Sequence, residues 1–142
     1  SCDLAISTSD AIFATPGVNI GLFCSTPMVA VSRNVSRKKT MKMLLTGEPI
    51  NAQYAKEIGL INDFFEKEKI EDEVVKLAEL IASKSNKVIK IGKKAFYKQL
   101  EMSLEDAYKY TSKIMSENMM AQDAKEGISA FIEKRKPIWK NK

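Results

Sequence analysis

Ahead of Glu48 the chain carries two carboxylates, Asp3 and Asp10, and two thiols, Cys2 and Cys24, and none of them stands at a spacing that makes a reactive pair. Histidine is absent from all 142 residues, which removes the commonest general base at neutral pH and the commonest metal ligand together. Ser-His-Asp, Cys-His and His-metal schemes are therefore excluded within the chain, and no metal site is expected. The two cysteines form no CxxC motif and no disulfide framework, which fits a reducing compartment or a protein indifferent to it. Both read as small core residues rather than catalytic thiols. Asp3 and Asp10 read as turn or capping residues.

The other feature with chemical potential is a loop. In the run PGVNIGLFCSTP, Pro16, Gly17, Gly21 and Pro27 punctuate a shaped segment, and glycines of this kind let a backbone approach a ligand closely. A turn linking two elements accounts for the same composition, and composition does not separate the two. Five methionines, Met41, Met43, Met115, Met119 and Met120, fall in helical segments and read as gap-fillers in a core or a subunit interface.

The elements that hold these residues are read as follows. Cys2–Ile6 reads as a buried strand already in progress, and its abrupt start implies a missing segment upstream. Ala11–Ala14 is a short apolar piece. Ser36 is placed to cap a helix from about Arg37 to Thr46, with Met41, Leu44 and Leu45 on one face and Gly47 as the left-handed stop. Asn51 caps the next short helix, with Ala52, Ala55 and Ile58 as its stripe, and Leu60–Phe65 reads as a short strand or crossing.

Beyond residue 66 the pattern is helical. Ile70, Val74, Leu77 and Ile81 recur at helical spacing, as do Val88, Ile91, Ala95 and Leu100. Ser103 with Asp106 resembles a capping box for a helix burying Leu104, Ala107, Tyr108, Thr111 and Met115. A last helix spans about 122–134 and presents Ala124, Ile128, Phe131 and Ile132. No strand of comparable quality pairs with the first one, so its sheet is expected to lie outside the chain.

The formal charge is +5, with Lys and Arg interspersed among Asp and Glu, so the excess is mild. The tail Lys134, Arg135, Lys136, Lys140 and Lys142 is the one notable basic cluster, with Trp139 its lone aromatic, and nucleic-acid binding is not expected. No run approaches the ~20 apolar residues of a membrane span. The first ten residues read as neither signal nor transit peptide.

Three ordered blocks, CDLAISTSDAIFATPGVNIGLFCSTP, LLTGEPINAQYAKEIGLIN and EGISAFIEKRKPIW, resemble the second half of an enoyl-CoA hydratase/isomerase (crotonase) protein, and within that family the domain-containing branch. The resemblance implies an α/β fold: the C-terminal part of a ββα spiral over 1–66 with an acyl-pocket loop, then a helical segment over 67–142 for trimerisation and coenzyme A contact, with the first half of the spiral missing. It implies an acyl-CoA thioester ligand in fatty-acid or acyl-CoA metabolism, no cofactor beyond the coenzyme A of the substrate, and a mitochondrial location. It also implies a homotrimer or hexamer, or a partner chain supplying the first half.

The family holds the thioester carbonyl in an oxyanion hole and activates water with two glutamates. One glutamate and the oxyanion donors would precede Ser1. The other belongs after Pro16, where this sequence has Gly17, so no catalytic residue is assigned and two-glutamate hydration is not expected. A non-catalytic member serving as a coenzyme A-binding or structural subunit is the alternative. The resemblance further assigns Pro16, Gly17, Val18, Gly21 and Leu22 to the acyl pocket. It assigns Phe131 and Lys134 to coenzyme A, through an aromatic face and a point charge for phosphate.

Overall fold

A computed structural model of the chain describes residues 2–141 and divides it into two compact units, Ser1–Leu77 and Ala78–Lys142. In the first unit, β1 (Ile6–Thr8) pairs in parallel with β4 (Asp63–Phe65), with Ile6 opposite Asp63 and Thr8 opposite Phe65. β2 (Ile12–Phe13) pairs antiparallel with β3 (Ile50–Asn51). The initial strand thus has a partner within the chain, contrary to the expectation that its sheet lies elsewhere. Sequence reading undervalued Asp63–Phe65 because so short a run carries little periodic signal. The strand also begins later than expected: Cys2 to Leu4 are exposed, and Ala5 instead donates its N–H to the Asn62 side chain at 2.7 Å.

Helix α1 (Ser25–Asn34) begins within the last three residues of the segment read as a shaped loop and runs on through residues to which the sequence assigned no element. Pro27 sits in its first turn, where the missing N–H costs nothing because that donor has no intrahelical acceptor anyway. Helix α2 spans Arg37–Thr46 as expected and stops at Gly47 with φ +62°. Its buried face, however, is Thr40, Met43 and Leu44, while Met41 and Leu45 are exposed. Helix α3 (Ala52–Glu57) is capped by Asn51, whose side chain accepts from the Tyr54 N–H at 2.8 Å. Ala52, Ala55 and Ile61 form the centre of the unit's core, with Phe13, Ile50 and Phe64 packed around them.

Helix α4 (Ile70–Ala82) carries the division between the units and buries none of its residues fully. The second unit contains α5 (Asn86–Gln99), α6 (Leu104–Met119) and α7 (Gln122–Ile132). Ser103 does cap α6: its hydroxyl accepts from the Asp106 N–H at 3.2 Å and donates to the Asp106 carboxylate at 2.7 Å. What these helices bury is mostly small: Ala95, Ala107, Ala121 and Ala130, with Ser85 and Asp123. Leu104, Tyr108 and Met115, expected inside, are exposed. Cys2 is exposed and Cys24 half-buried, so neither is the core residue that composition suggested.

Candidate functional site

The loop after β2 is anchored by Thr15, which is buried and donates its hydroxyl to the Met43 carbonyl at 2.8 Å. Pro16–Ile20 then turns as a 3₁₀ helix that ends on Gly21 at φ +76°, a left-handed conformation that favours glycine. The Leu22 N–H closes back on the Gly17 carbonyl at 2.9 Å. Val18 and Asn19 rest against the end of α2, where a Cβ on Gly47 would stand 3.0 Å from Val18 Cγ2 and 3.2 Å from the Asn19 amide. Pro16, Gly17, Val18, Gly21 and Leu22 therefore share one tight turn, with Ile20, Leu22 and Phe23 exposed on it.

Gly17 is enclosed. Its N–H donates to Cys24 Sγ at 3.3 Å, and a Cβ at this position would stand 2.9 Å from both that sulfur and the Leu22 carbonyl oxygen. The sulfur and the carbonyl fill the volume a side chain would need. The whole segment 15–27 contains no carboxylate, so nothing in the turn itself can carry out carboxylate acid/base chemistry.

In the second unit Phe131 stands at the end of α7, 85% exposed. The helix closes by Lys134 taking φ +54°, with its N–H on the Phe131 carbonyl at 3.3 Å and the Arg135 N–H on the Ala130 carbonyl at 3.0 Å. Lys134 thus lies just past the helix rather than in its last turn, as the range 122–134 supposed. The Arg135 guanidinium grips Glu126 through two bonds of 2.6 and 3.0 Å and reaches Glu133 at 2.5 Å. That grip, with the Ile138 N–H, holds the Glu126 carboxyl down at about 2.

Phe131 borders a cleft of about 400 Å³ together with Val88, Ile128, Trp139 and the buried Asp123. Gly127 makes room for the indole, since a Cβ there would stand 3.3 Å from the Trp139 ring. The Trp139 Nε1–H donates to the Ser83 carbonyl at 2.8 Å. Asp123 accepts from the Ser85 hydroxyl and from the backbone N–H groups of Lys140 and Asn141, at 2.8 and 3.0 Å for the shortest bond to each. The Ser85 bond, followed by the backbone donors, holds its carboxyl below the ordinary carboxylate range. Sequence reading missed this latch. Its one local trace is the spacing of Asp123, Gly127 and Ala130, a small-residue face that the tail covers.

Among the described residues no cluster of three or more metal-ligating side chains is present, and no helix is long and apolar enough to cross a membrane.

A parallel β pair, an antiparallel β pair whose first strand leads into the glycine turn, and the α helices that follow match the α/β architecture that the resemblance implied, and the chain belongs to the enoyl-CoA hydratase/isomerase family, whose model matches residues 1–142. It is 52% identical over 139 residues to the mouse (Mus musculus) enoyl-CoA hydratase domain-containing protein 3, mitochondrial, covering 98% of this chain and 46% of that one. The human (Homo sapiens) protein of the same name is 49% identical over the same shares. Among solved structures, an enoyl-CoA hydratase of Mycobacterium smegmatis superposes with a TM-score of 0.93 at 47% identity, over 97% of this chain and 54% of that one. The crystal structure of human enoyl coenzyme A hydratase domain-containing protein 3 superposes at 0.91 and 48% identity, over 97% and 55%. The chain spans about half the length of the curated relatives it matches.

Proposed function

We propose that the chain contributes the acyl-pocket loop and a coenzyme A contact to a mitochondrial acyl-CoA thioester-binding protein that does not run two-glutamate hydration. Gly17 is the observation that carries this reading. The family chemistry asks for a carboxylate after Pro16, and here the Cys24 sulfur and the Leu22 carbonyl occupy the space its side chain would need. Pro16, Val18, Gly21 and Leu22 would bound the acyl group, and Phe131 with Lys134 would meet the coenzyme A moiety. Exposure of the Phe131 ring suits a contact made to another molecule rather than to its own core. The mitochondrial location follows the relatives, the mouse and human proteins both being named as mitochondrial.

The reaction left open to such a site is one that needs stabilisation of an enolate-like charge without a second carboxylate. A non-catalytic subunit is the second reading, favoured by the broad apolar exposure of the second unit, at Leu104, Met119 and Phe131 among others. That surface suits assembly into a trimer or hexamer. A steady-state assay of the native protein with a short enoyl-CoA, paired with calorimetric titration of the same thioester, tests the proposal. Thioester binding with hydration at the buffer rate is expected. Robust hydration would overturn it.

A further inference from the structure

Between α5 and α6 lies a groove of about 630 Å³ that neither the turn at Gly17 nor the Phe131 cleft accounts for. One wall is a lysine row: Lys87, Lys94 and Lys98 are spaced seven and four residues apart along α5, which puts them on one helical face. Lys98 is held with its ammonium 4.6 Å from the centre of the Tyr110 ring, a cation–π contact that fixes where its charge stands. The floor is apolar, made by Ile91, Ile114 and Ala121. Glu117 is the carboxylate among the lining residues and stands 4.0 Å from the Lys113 ammonium, while Lys87 also acts on Asp123, so the positive excess of the groove stands chiefly at Lys94 and Lys98.

Asn118, which lines both this groove and the Phe131 cleft, supplies a second observation. Its amide oxygen is buried and accepts no hydrogen bond from the protein. A buried acceptor of this kind calls for a donor. The torsion that carries the terminal amide is soft, so the oxygen can turn toward a hydroxyl placed in the groove.

We propose that this groove binds a small phosphomonoester with an apolar body and a free hydroxyl. The phosphate carries about two negative charges at neutral pH and has three acceptor oxygens for the lysines. The hydroxyl gives Asn118 the donor it lacks. The apolar part covers Ile91 and Ile114. Inorganic phosphate offers no apolar body, and a fatty acid offers neither the second charge nor the hydroxyl, so only the combined ligand meets all three features. The proposal stands on these residues alone and holds or falls independently of acyl-CoA binding.

The test is calorimetric titration of the native protein with a short-chain lysophosphatidate, with glycerol 3-phosphate and the matching fatty acid as the arms lacking tail and phosphate. Lysophosphatidate is expected to bind at least tenfold more tightly than either, with an affinity that falls as salt rises. Lys94→Glu combined with Lys98→Glu should reduce binding at least tenfold while leaving the circular dichroism spectrum unchanged, since both side chains belong to exposed residues. Asn118→Leu should weaken binding and raise the thermal midpoint of the empty protein, because it removes an unsatisfied buried acceptor; a purely structural amide would lower that midpoint. Absence of binding, equal binding of the fatty acid, or indifference to the lysine variants would overturn the proposal. So would lysine-dependent retention on phosphatidate vesicles without binding of the soluble ligand.

Discussion

The two units hold themselves together by opposite means. The first buries real hydrophobes, Val35, Met43, Leu44 and Ile61, around an alanine centre, and it places its polar groups at helix caps and at the Thr15 anchor. The second buries alanines and a carboxylate, and leaves Phe96, Leu104, Met119, Phe131 and Ile132 more than half exposed. A unit of the first kind has an apolar centre of its own, although it too leaves Ile12, Ile20, Leu22 and Leu45 exposed. One of the second kind is pinned by a polar latch and keeps its apolar area for a further contact, so its stability should be sensitive to pH and to what covers it.

The largest expected effect lies in the first unit. Leu44 is 2% exposed, and Leu44→Ala should cost about 3 kcal/mol in a urea melt, the sum of lost transfer energy and the cavity left behind. The same truncation at Leu104, 77% exposed, should stay within about 0.5 kcal/mol in dilute monomer. A Leu104→Ala loss that grows with protein concentration would show that this face is covered in the assembled protein. Equal losses at both positions in dilute monomer would erase the contrast between the units.

The polar latch sharpens the comparison through pH. Asp123 and Glu126 both have folded pKa values below their ordinary ones, Asp123 chiefly through the Ser85 hydroxyl and Glu126 chiefly through Arg135. For a group depressed on folding, the unfolded state binds the proton more readily, so its contribution is full above the unfolded value and is lost as pH falls toward the folded one. For Glu126 that window runs from 4.5 down to about 2. Thermal melts should therefore lose stability over that range. Asp123→Asn with Glu126→Gln should flatten the loss, and an unchanged acid limb would rule out the latch as its source.

Gly17 carries the next effect. Gly17→Ala forces a methyl to within 2.9 Å of the Leu22 carbonyl and the Cys24 sulfur, and overpacking of this kind should cost about 1–3 kcal/mol. Adding Cys24→Ala removes one obstacle and leaves the backbone one, so the double variant should recover part of the loss. A double-mutant cycle on unfolding energies measures that coupling. Full additivity would mean that the sulfur is not what fills the space.

How much of this the sequence disclosed depends on how local the cause was. The span of α2 was legible because Gly47 is a local stop signal, although Ser36 before it makes no side-chain cap bond, and the caps at Asn51 and Ser103 are local for the same reason. The family motifs led to the turn at Gly17, although only the structure showed what encloses it. Pairing of β1 with β4 joins residues far apart in the chain and left no periodic trace. The Ser85–Asp123 bond spans 38 residues and was invisible for that reason. Burial in the second unit was misjudged because a periodic apolar stripe says that a face wants covering, not that this chain covers it.

The smallest expected effect compares two caps of the first unit. Ser36 and Asn51 both occupy the residue before a helix, but only Asn51 makes a side-chain bond, to the Tyr54 N–H at 2.8 Å. Asn51→Ala should therefore cost about 1 kcal/mol, the usual value of a working cap. Ser36→Ala loses no such bond and should cost no more than about 0.5 kcal/mol, as for a surface change. Chemical-denaturation midpoints on the two variants decide it. A Ser36 loss equal to that at Asn51 would mean that its hydroxyl caps α2 in solution, and that the first unit draws more on side-chain polar bonds than its apolar core suggests.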